Sequence, residues 1–174
     1  MISQKMEAAL NEQIKWELYS SYLYLSMSAH FTSVNLAGFA NWMRVQAQEE
    51  LVHAIKFYDF VHERNGKVVL QQVEAPPAEW KSPLAAFEDA FKHEQLVSKR
   101  INDLVDMAVK EKDHATNIFL QWFVTEQVEE ESSANEVVQN LKLVRADSSG
   151  LFMLDRELAQ RVFTMPAVAQ AETG

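Results

Sequence analysis

The stretch Glu50-Leu51-Val52-His53 decides the fold, because it places a carboxylate and an imidazole three residues apart in a long helical pattern. Residues three apart share one face of an α-helix, so both side chains point the same way and could hold a cation between them. Three other helical stretches each carry one acid on an otherwise apolar stripe: Glu17, Glu94 and Glu130. We therefore expect a metal site inside a bundle of four helices.

The composition favours a single helical domain. The chain of 174 residues is 48% hydrophobic and has only four Gly and four Pro, which leaves little room for the turns of an all-β fold. The net charge of −9 argues against nucleic acid or anionic membrane as a partner, since both bind basic faces. The absence of cysteine excludes disulfides, iron–sulfur clusters and thiolate zinc sites. With no signal-peptide pattern and no apolar run of about 18 residues, we expect a cytoplasmic protein.

Helical periodicity predicts one domain over residues 1–160 and a flexible tail over 161–174. Ser3 is suited to cap the first helix and Asp113 the fourth, and in Asn65-Gly66 the glycine is available for the left-handed position after the second helix. A fifth apolar helix outside a closed four-helix core needs a partner surface, so we expect contacts with other subunits. The predicted helices lie at about residues 3–33, 36–65, 83–112, 114–145 and 150–160.

The segment between the second and third helices is long and rich in proline. It runs from Lys67 to Ser82 and contains Pro76 and Pro77, which forbid a regular helix there. About 16 extended residues at roughly 3.3 Å each reach about 50 Å, and a helix of about 30 residues is about 45 Å long. The segment can therefore cross the whole bundle and start the third helix at the end where the second one starts.

The surroundings of each acid decide whether it binds metal. A lone Glu-x-x-His is usually part of a solvated face, but all four acids lie on apolar stripes with almost no Lys or Arg. A buried carboxylate costs several kcal/mol unless it is paired or bound to metal, and two divalent cations would balance four carboxylates. The apolar neighbours are Met43, Ala47, Ala54 and Phe57 for Glu50, Phe87, Ala90, Phe91, Val97 and Ile101 for Glu94, and Phe123, Ala134 and Val137 for Glu130.

The ligand types favour iron or manganese. Zinc prefers more nitrogen or sulfur, and calcium and magnesium rarely bind imidazole. Carboxylates with one imidazole suit iron or manganese instead. Because carboxylates also stabilise the ferric state, a ferrous pair held in this way should react readily with dioxygen.

These residues resemble the ferroxidase centre of the ferritin family, specifically that of the haem-free bacterial ferritins. The match covers about residues 1–160 in helix order, crossover and ligand spacing. It implies an all-α, ferritin-like four-helix bundle with a long crossover between helices 2 and 3 and a short fifth C-terminal helix. The implied ligands are Glu17, Glu50 and His53 for one iron, with Glu50 bridging, and Glu94 and Glu130 for the second iron, with Gln127 beside it.

The same resemblance implies an activity and an assembly. Fe(II) is oxidised to Fe(III) by O2 or H2O2 at the ferroxidase centre, and ferric oxyhydroxide is deposited inside a hollow 24-subunit shell of identical chains. Bacterioferritins carry a second Glu-x-x-His on the fourth helix, where this chain has Gln127 and Glu130. The haem-ligating methionine expected before His53 is Val52 here, so we expect iron without haem.

Further acids and a tyrosine extend the expected site. Glu49, Glu126 and Glu129 would by themselves be a solvated face, but the resemblance implies a third iron site on the cavity side of the centre. Tyr24 lies two turns after Glu17 on the same face. A core tyrosine with a satisfied hydroxyl would explain it, whereas the resemblance implies an electron donor and hydrogen-bond partner of the irons.

One departure concerns the path of iron into the shell. Animal ferritins line a threefold access channel with an acidic pair near the start of the fourth helix. The matching positions here are Asn117 and Leu120, so we expect iron to use a different pore.

Two alternatives remain open. A di-iron oxygenase, peroxidase or radical-generating subunit could use the same bundle, although such proteins usually carry a second Glu-x-x-His or a rubredoxin-like domain. A non-enzymatic bundle could bind structural metal or none, but the buried acids argue against it. A DNA-protecting mini-ferritin is disfavoured by the ligand set within one subunit, the fifth helix and the acidic charge.

Overall fold

The computed structural model describes residues 2–144 and 147–164, and the fold is all-α over these residues. It has five helices and no strand there. Both the predicted bundle and its short additional helix are confirmed. The predicted end of the fourth helix at residue 145 and most of the predicted tail, residues 165–174, lie outside the described residues. The helices are α1 (Gln4–Ser33), α2 (Ala37–Glu63), α3 (Pro83–Glu111), α4 (His114–Val144) and α5 (Ser148–Leu158).

The predicted caps at the helix starts are formed. The Ser3 side chain accepts a hydrogen bond from the backbone N–H of Met6 at 3.0 Å, which satisfies one of the N–H groups left unpaired at a helix start. Asp113 accepts from the backbone N–H of Thr116 at 3.1 Å and so caps α4. These contacts explain why the boundaries at residues 3 and 113 were predictable from single residues.

Three helix boundaries differ by two residues from the predicted ones, namely the end of α2 and both ends of α5. Asn65, with φ 56°, takes the left-handed position after α2, and Gly66 does not. Asparagine tolerates this conformation, and the Gly66 N–H donates to the Val61 carbonyl at 2.8 Å to close the helix. The start of α5 is two residues earlier than predicted, because Asp147 caps it by accepting from the N–H of Gly150 at 2.8 Å.

The segment between α2 and α3 crosses the bundle as predicted. Phe87 near the start of α3 packs against Phe39 and Trp42 near the start of α2, with ring centroids 5.8 and 5.0 Å apart. The two helices therefore start at the same end. The crossing segment is bound to α1, where Asn11 accepts from the Val69 N–H at 2.6 Å.

The hydrophobic core consists of two clusters, one towards each end of the bundle. One cluster is centred on Phe31, Phe39 and Phe87, and the other on Phe57 and Phe123. Between them lies a layer of buried polar and charged side chains contributed by all four long helices. Two apolar clusters hold the ends of the bundle together, and thus fix the backbone that carries this polar layer.

The fifth helix is hydrogen-bonded to the start of α2. Leu36, the N-cap of α2, makes no side-chain cap bond, and Asp155 of α5 accepts instead from the N–H groups of Gly38 and Phe39 at 2.8 and 3.1 Å. A Cβ on Gly38 would lie 1.6 Å from the Asp155 carbonyl oxygen. The close approach of the two backbones therefore requires glycine at position 38.

Candidate metal centre

The polar layer contains the predicted metal ligands. The structure places Glu17 on α1, Glu50 and His53 on α2, Glu94 on α3 and Glu130 on α4, and each is at most 5% exposed. One helix face alone could not bring them together, because they come from four different helices. The crossover matters here, since it sets the direction in which α3 and α4 present their acids.

The α1–α2 half of the site has ligand atoms that no protein group satisfies. One potential metal-ligand atom each of Glu17, Glu50 and His53 lies within 4.8 Å of the others, and His53 Nδ1 is 3.4 Å from Glu50 Oε2. The Oε2 atoms of both glutamates and Nε2 of His53 are buried without a hydrogen-bond partner. Since unpaired buried polar atoms are costly, this arrangement fits a bound cation.

The α3–α4 half of the site is hydrogen-bonded. Glu94 accepts from the Tyr24 hydroxyl and from Gln127 Nε2, the latter at 3.2 Å. Glu130 Oε2 accepts from Gln46 Nε2 at 2.6 Å. One ligand atom each of His53, Glu126 and Glu130 also lies within 4.8 Å of the others. His53 Nε2 is 4.0 Å from Glu126 Oε1, so this nitrogen adjoins the α3–α4 half. A cation bound here would replace existing hydrogen bonds.

Burial and mutual repulsion hold these carboxyl groups in their neutral form when no metal is bound. Burial, followed by the charges of neighbouring glutamates, raises the pKa of Glu17, Glu50 and Glu130 from the ordinary 4.5 to about 8. Burial also raises the pKa of Glu94 and that of the Tyr24 hydroxyl. A cation would reverse this effect by favouring the charged carboxylates.

The acids expected to hold a third iron are more dispersed. The carboxylate of Glu49 pairs with Arg161, with Oε2 and Nη2 2.5 Å apart. Glu126 is 28% exposed and its Oε1 lies 4.0 Å from His53 Nε2, while Glu129 is exposed. Over residues 2–144 and 147–164, these three carboxylates do not form one cluster of ligand atoms.

Two glutamines of the site were missed by sequence reasoning. Gln13 Nε2 donates to Glu17 Oε1 at 2.8 Å, and Gln46 Nε2 donates to Glu50 Oε1 at 3.1 Å. Gln46 also reaches Glu130, so it connects the two halves of the site. Each glutamine precedes its glutamate by four residues, a spacing that places them side by side on a helix. That repeated Gln-x-x-x-Glu spacing was a usable signal.

Other polar and aromatic residues surround the layer. His93 is buried, with Nε2 2.7 Å from the Ser20 hydroxyl, and burial lowers its pKa to about 4. Its ring also packs edge-on against Tyr24. Trp122 packs edge-on against His53 with centroids 5.4 Å apart, and Lys56 Nζ lies 4.0 Å from the Trp122 ring centroid.

The two positions that match the acidic pair of the access channel differ in burial. Leu120 is fully buried in the core cluster around Phe57 and Phe123, so it does not line a surface opening, whereas Asn117 is partly exposed. Leu120 lies seven residues before Gln127, two helical turns away, and so shares the inward face of α4.

None of the helices in the described parts of the chain combines the length and apolar character that crossing a bilayer requires.

Comparison with known proteins identifies relatives over nearly the whole chain. A family described as ferritin-like domain matches residues 7–144. The bacterial non-heme ferritin of Bacteroides fragilis is 47% identical over 161 residues, which is 92% of this chain and 100% of that protein. The bacterial non-heme ferritin of Staphylococcus epidermidis is 37% identical over 163 residues, 94% of this chain and 98% of that one.

Solved structures extend the likeness to three dimensions. An open-pore ferritin from the hyperthermophilic archaeon Archaeoglobus fulgidus is 59% identical and superposes with a TM-score of 0.93 over 93% of this chain and 100% of that chain. A humanized archaeal ferritin is 57% identical, with a TM-score of 0.94 over 95% of this chain and 100% of that chain.

Proposed function

The chain belongs to the ferritin family, as the sequence resemblance predicted, and on that premise we propose that it oxidises and stores iron. Its substrate is Fe(II), which binds within one subunit at the polar layer between the two core clusters. The product, Fe(III), is deposited as ferric oxyhydroxide inside a shell of identical chains. The oxidant is O2 or H2O2, which accepts the electrons that the ferrous ions give up.

One observation carries the proposal: the unpaired buried atoms of the α1–α2 half. Glu17 Oε2, Glu50 Oε2 and His53 Nε2 are buried without hydrogen-bond partners, and one ligand atom from each of these three residues lies within 4.8 Å of the others. A protein interior rarely tolerates three such atoms in one polar layer unless ligands satisfy them. Two carboxylates and an imidazole are suitable ligands for ferrous iron.

We assign each proposed ligand and Tyr24 a part in this reaction. Glu17, Glu50 and His53 bind the first iron, and Glu94 and Glu130 bind the second with Gln127 beside it. Glu50 lies between the halves, since Gln46 hydrogen-bonds both it and Glu130, and this position suits a bridging ligand. Tyr24 donates to Glu94 and orients it. Two adjacent irons supply the redox chemistry, while the side chains bind, orient and release protons.

The storage role rests on the relatives and on the surface of the chain. Bacterial non-heme ferritins match it over more than nine-tenths of its length. Phe152 and Met153 on α5 are 63% and 71% exposed, and exposed apolar groups of this size suit contacts with neighbouring subunits. We accordingly propose assembly into a 24-mer and a third iron position near Glu49, Glu126 and Glu129.

The test is to load the purified apoprotein with Fe(II) under anaerobic conditions and then admit air while recording absorbance. Size exclusion of the same sample gives the particle mass. Oxidation that continues well beyond two or three irons per subunit, in a particle of about half a megadalton, would support storage. Oxidation that stops at two irons in a small particle would favour a soluble di-iron oxidase or peroxidase on the same bundle. A Glu17→Gln variant provides the control for reaction away from the site.

A further inference from the structure

Arg161, just beyond α5, reaches the edge of the metal centre. Its Nη2 lies 2.5 Å from Glu49 Oε2, and the two side chains are only 22% and 18% exposed. Glu49 is the immediate neighbour of the ligand Glu50 in the sequence. An ion pair that is largely shielded from solvent is stronger than an exposed one, because water and salt screen it less.

The position of Arg161 is fixed by contacts with the start of α2. Its guanidinium lies 4.3 Å from the ring centroid of Trp42. The Asn41 side-chain amide donates to three carbonyl groups in succession, those of Leu158, Ala159 and Arg161, at 3.3, 3.4 and 2.9 Å. The backbone here is thus held close to α2, and Arg161 is directed at Glu49 rather than at solvent.

The Arg161 guanidinium places a permanent positive charge beside the Glu49 carboxylate. Arginine stays protonated at all ordinary pH values, so this positive charge is always present. The arginine engages Oε2 of Glu49, so a metal ion at this carboxylate competes with it for that oxygen or binds Oε1 close to its positive charge. The arginine also repels any cation that approaches Glu49 from outside the centre.

We propose that Arg161 is the built-in counter-cation of Glu49 and that it weakens binding of a third cation there by competing for the carboxylate. This inference rests on the proposed function, because it concerns the third iron of the same centre. This competition concerns only the Arg161–Glu49 pair, since the Asn41 hydrogen bonds hold the backbone at the end of α5 to α2 independently. The first two irons bind without this competition, since none of their ligands pairs with Arg161.

The test compares Fe(II) binding by full-length wild-type protein and three variants, using anaerobic calorimetry. Arg161→Gln removes the charge and keeps a polar side chain, and Arg161→Lys keeps the charge. Arg156→Gln is the matched control, because it removes the same charge from an exposed position on α5. Circular dichroism and size exclusion check that each variant folds and assembles as the wild type does.

The expected result is a third-cation affinity about tenfold higher in Arg161→Gln, with the first two binding steps unchanged. Arg161→Lys should restore weak third binding, and Arg156→Gln should behave as wild type. Adding Glu49→Gln to Arg161→Gln should abolish the gain, since the two residues act as a pair.

Two results would overturn the inference: equal third-site affinity in wild type and Arg161→Gln, or no third cation in either protein. Both leave the two-iron reaction intact. If the wild type fails to bind even two irons, the proposed function is overturned together with the inference. This result is distinguishable from the two above, in which two irons still bind. A gain in Arg156→Gln equal to that in Arg161→Gln would show a general charge effect and would also overturn it.

Discussion

The two halves of the proposed metal centre differ in how their candidate ligands are satisfied. In the α1–α2 half, one oxygen each of Glu17 and Glu50 has no hydrogen-bond partner. In the α3–α4 half, Glu94 and Glu130 accept hydrogen bonds from neighbouring side chains. One half is arranged for a cation before it arrives, whereas the other must exchange hydrogen bonds for metal contacts.

This difference indicates an order of binding. An unpaired buried oxygen gains the full benefit of a metal contact, while a hydrogen-bonded oxygen gains only the difference between two partners. We therefore expect the first iron to occupy the α1–α2 half and the second to bind more weakly. The presence of the first cation then lowers the repulsion among the carboxylates and assists the second.

The strongest test of this order compares Glu17→Gln with Glu94→Gln, one terminal ligand from each half. Glu17→Gln should weaken binding of the first iron by more than about 100-fold, because even indirect partners of metal ligands contribute about 10- to 100-fold. Glu94→Gln should leave one iron bound per subunit. Anaerobic Fe(II) calorimetry measures both, with Zn²⁺ as a redox-inactive check. If both variants retain one equally tight iron, the halves are equivalent and the order is wrong.

The next largest effect should come from pH. The pKa of Glu17 and of Glu50 is raised from 4.5 to about 8, so metal must displace protons from these groups at neutral pH. Affinity for the first iron should rise by about 100-fold between pH 6 and pH 8 for each proton displaced. Calorimetry in buffers of different ionisation enthalpy counts the released protons. Binding that releases none would contradict the neutral carboxyl groups.

The same raised pKa values affect the stability of the metal-free protein. Between pH 4.5 and about 8 the folded chain holds more protons on these glutamates than the unfolded chain does. Their contribution to stability is therefore lost as pH rises through about 8. We expect the melting temperature of the apoprotein to fall between pH 6 and pH 9 and that of the Zn²⁺-loaded protein to fall less. Scanning calorimetry of both forms provides the comparison.

An intermediate effect is expected from Gln46, which links the halves. Gln46→Leu removes the donor to both Glu50 and Glu130 and should weaken both iron-binding steps by about tenfold. Gln13→Leu removes a donor from Glu17 alone and should weaken the first step only. Gln139→Leu, at an exposed position on α4, is the control. Equal effects of the Gln46 and Gln13 variants on the second step would show that Gln46 does not connect the halves.

The smallest effect should follow Tyr24→Phe. The Tyr24 hydroxyl donates to Glu94 in the metal-free site, and we expect the same hydrogen bond with metal bound. Its loss should therefore change the free energies of the metal-free and metal-bound sites by similar amounts. The second binding step should weaken by about threefold and the first should not change. Stopped-flow oxidation of Fe(II) by O2 gives the rate beside the affinity. A change in the first step would place Tyr24 in the α1–α2 half.

The bundle and the four acids were predictable because both depend on local spacing. Glu50 and His53 occupy one helical face, and Glu94 and Glu130 lie on apolar stripes, so their burial follows from periodicity. The caps at Ser3 and Asp113 likewise depend on residues nearby in the sequence. These features are confirmed by the burial and hydrogen bonds of the structure.

Contacts between distant segments were not predictable in the same way. Nothing near Gln46 in the sequence indicates that it reaches Glu130 on another helix. Arg161 follows the end of α5, where periodicity gives no direction, and its pairing with Glu49 depends on how α5 docks. That docking in turn requires the bare backbone of Gly38. Helix-to-helix geometry, rather than propensity, determines each of these contacts.

The long crossing segment also has a consequence for the order of folding. Each half of the centre is assembled from one hairpin, α1 with α2 or α3 with α4, whose helices are joined by short turns. Short loops close quickly and long ones more slowly, so both hairpins should form before they dock. The Tyr24–Glu94 and Gln46–Glu130 contacts then appear only at the final docking step. A chain still being synthesised therefore lacks the complete site that we propose for iron oxidation.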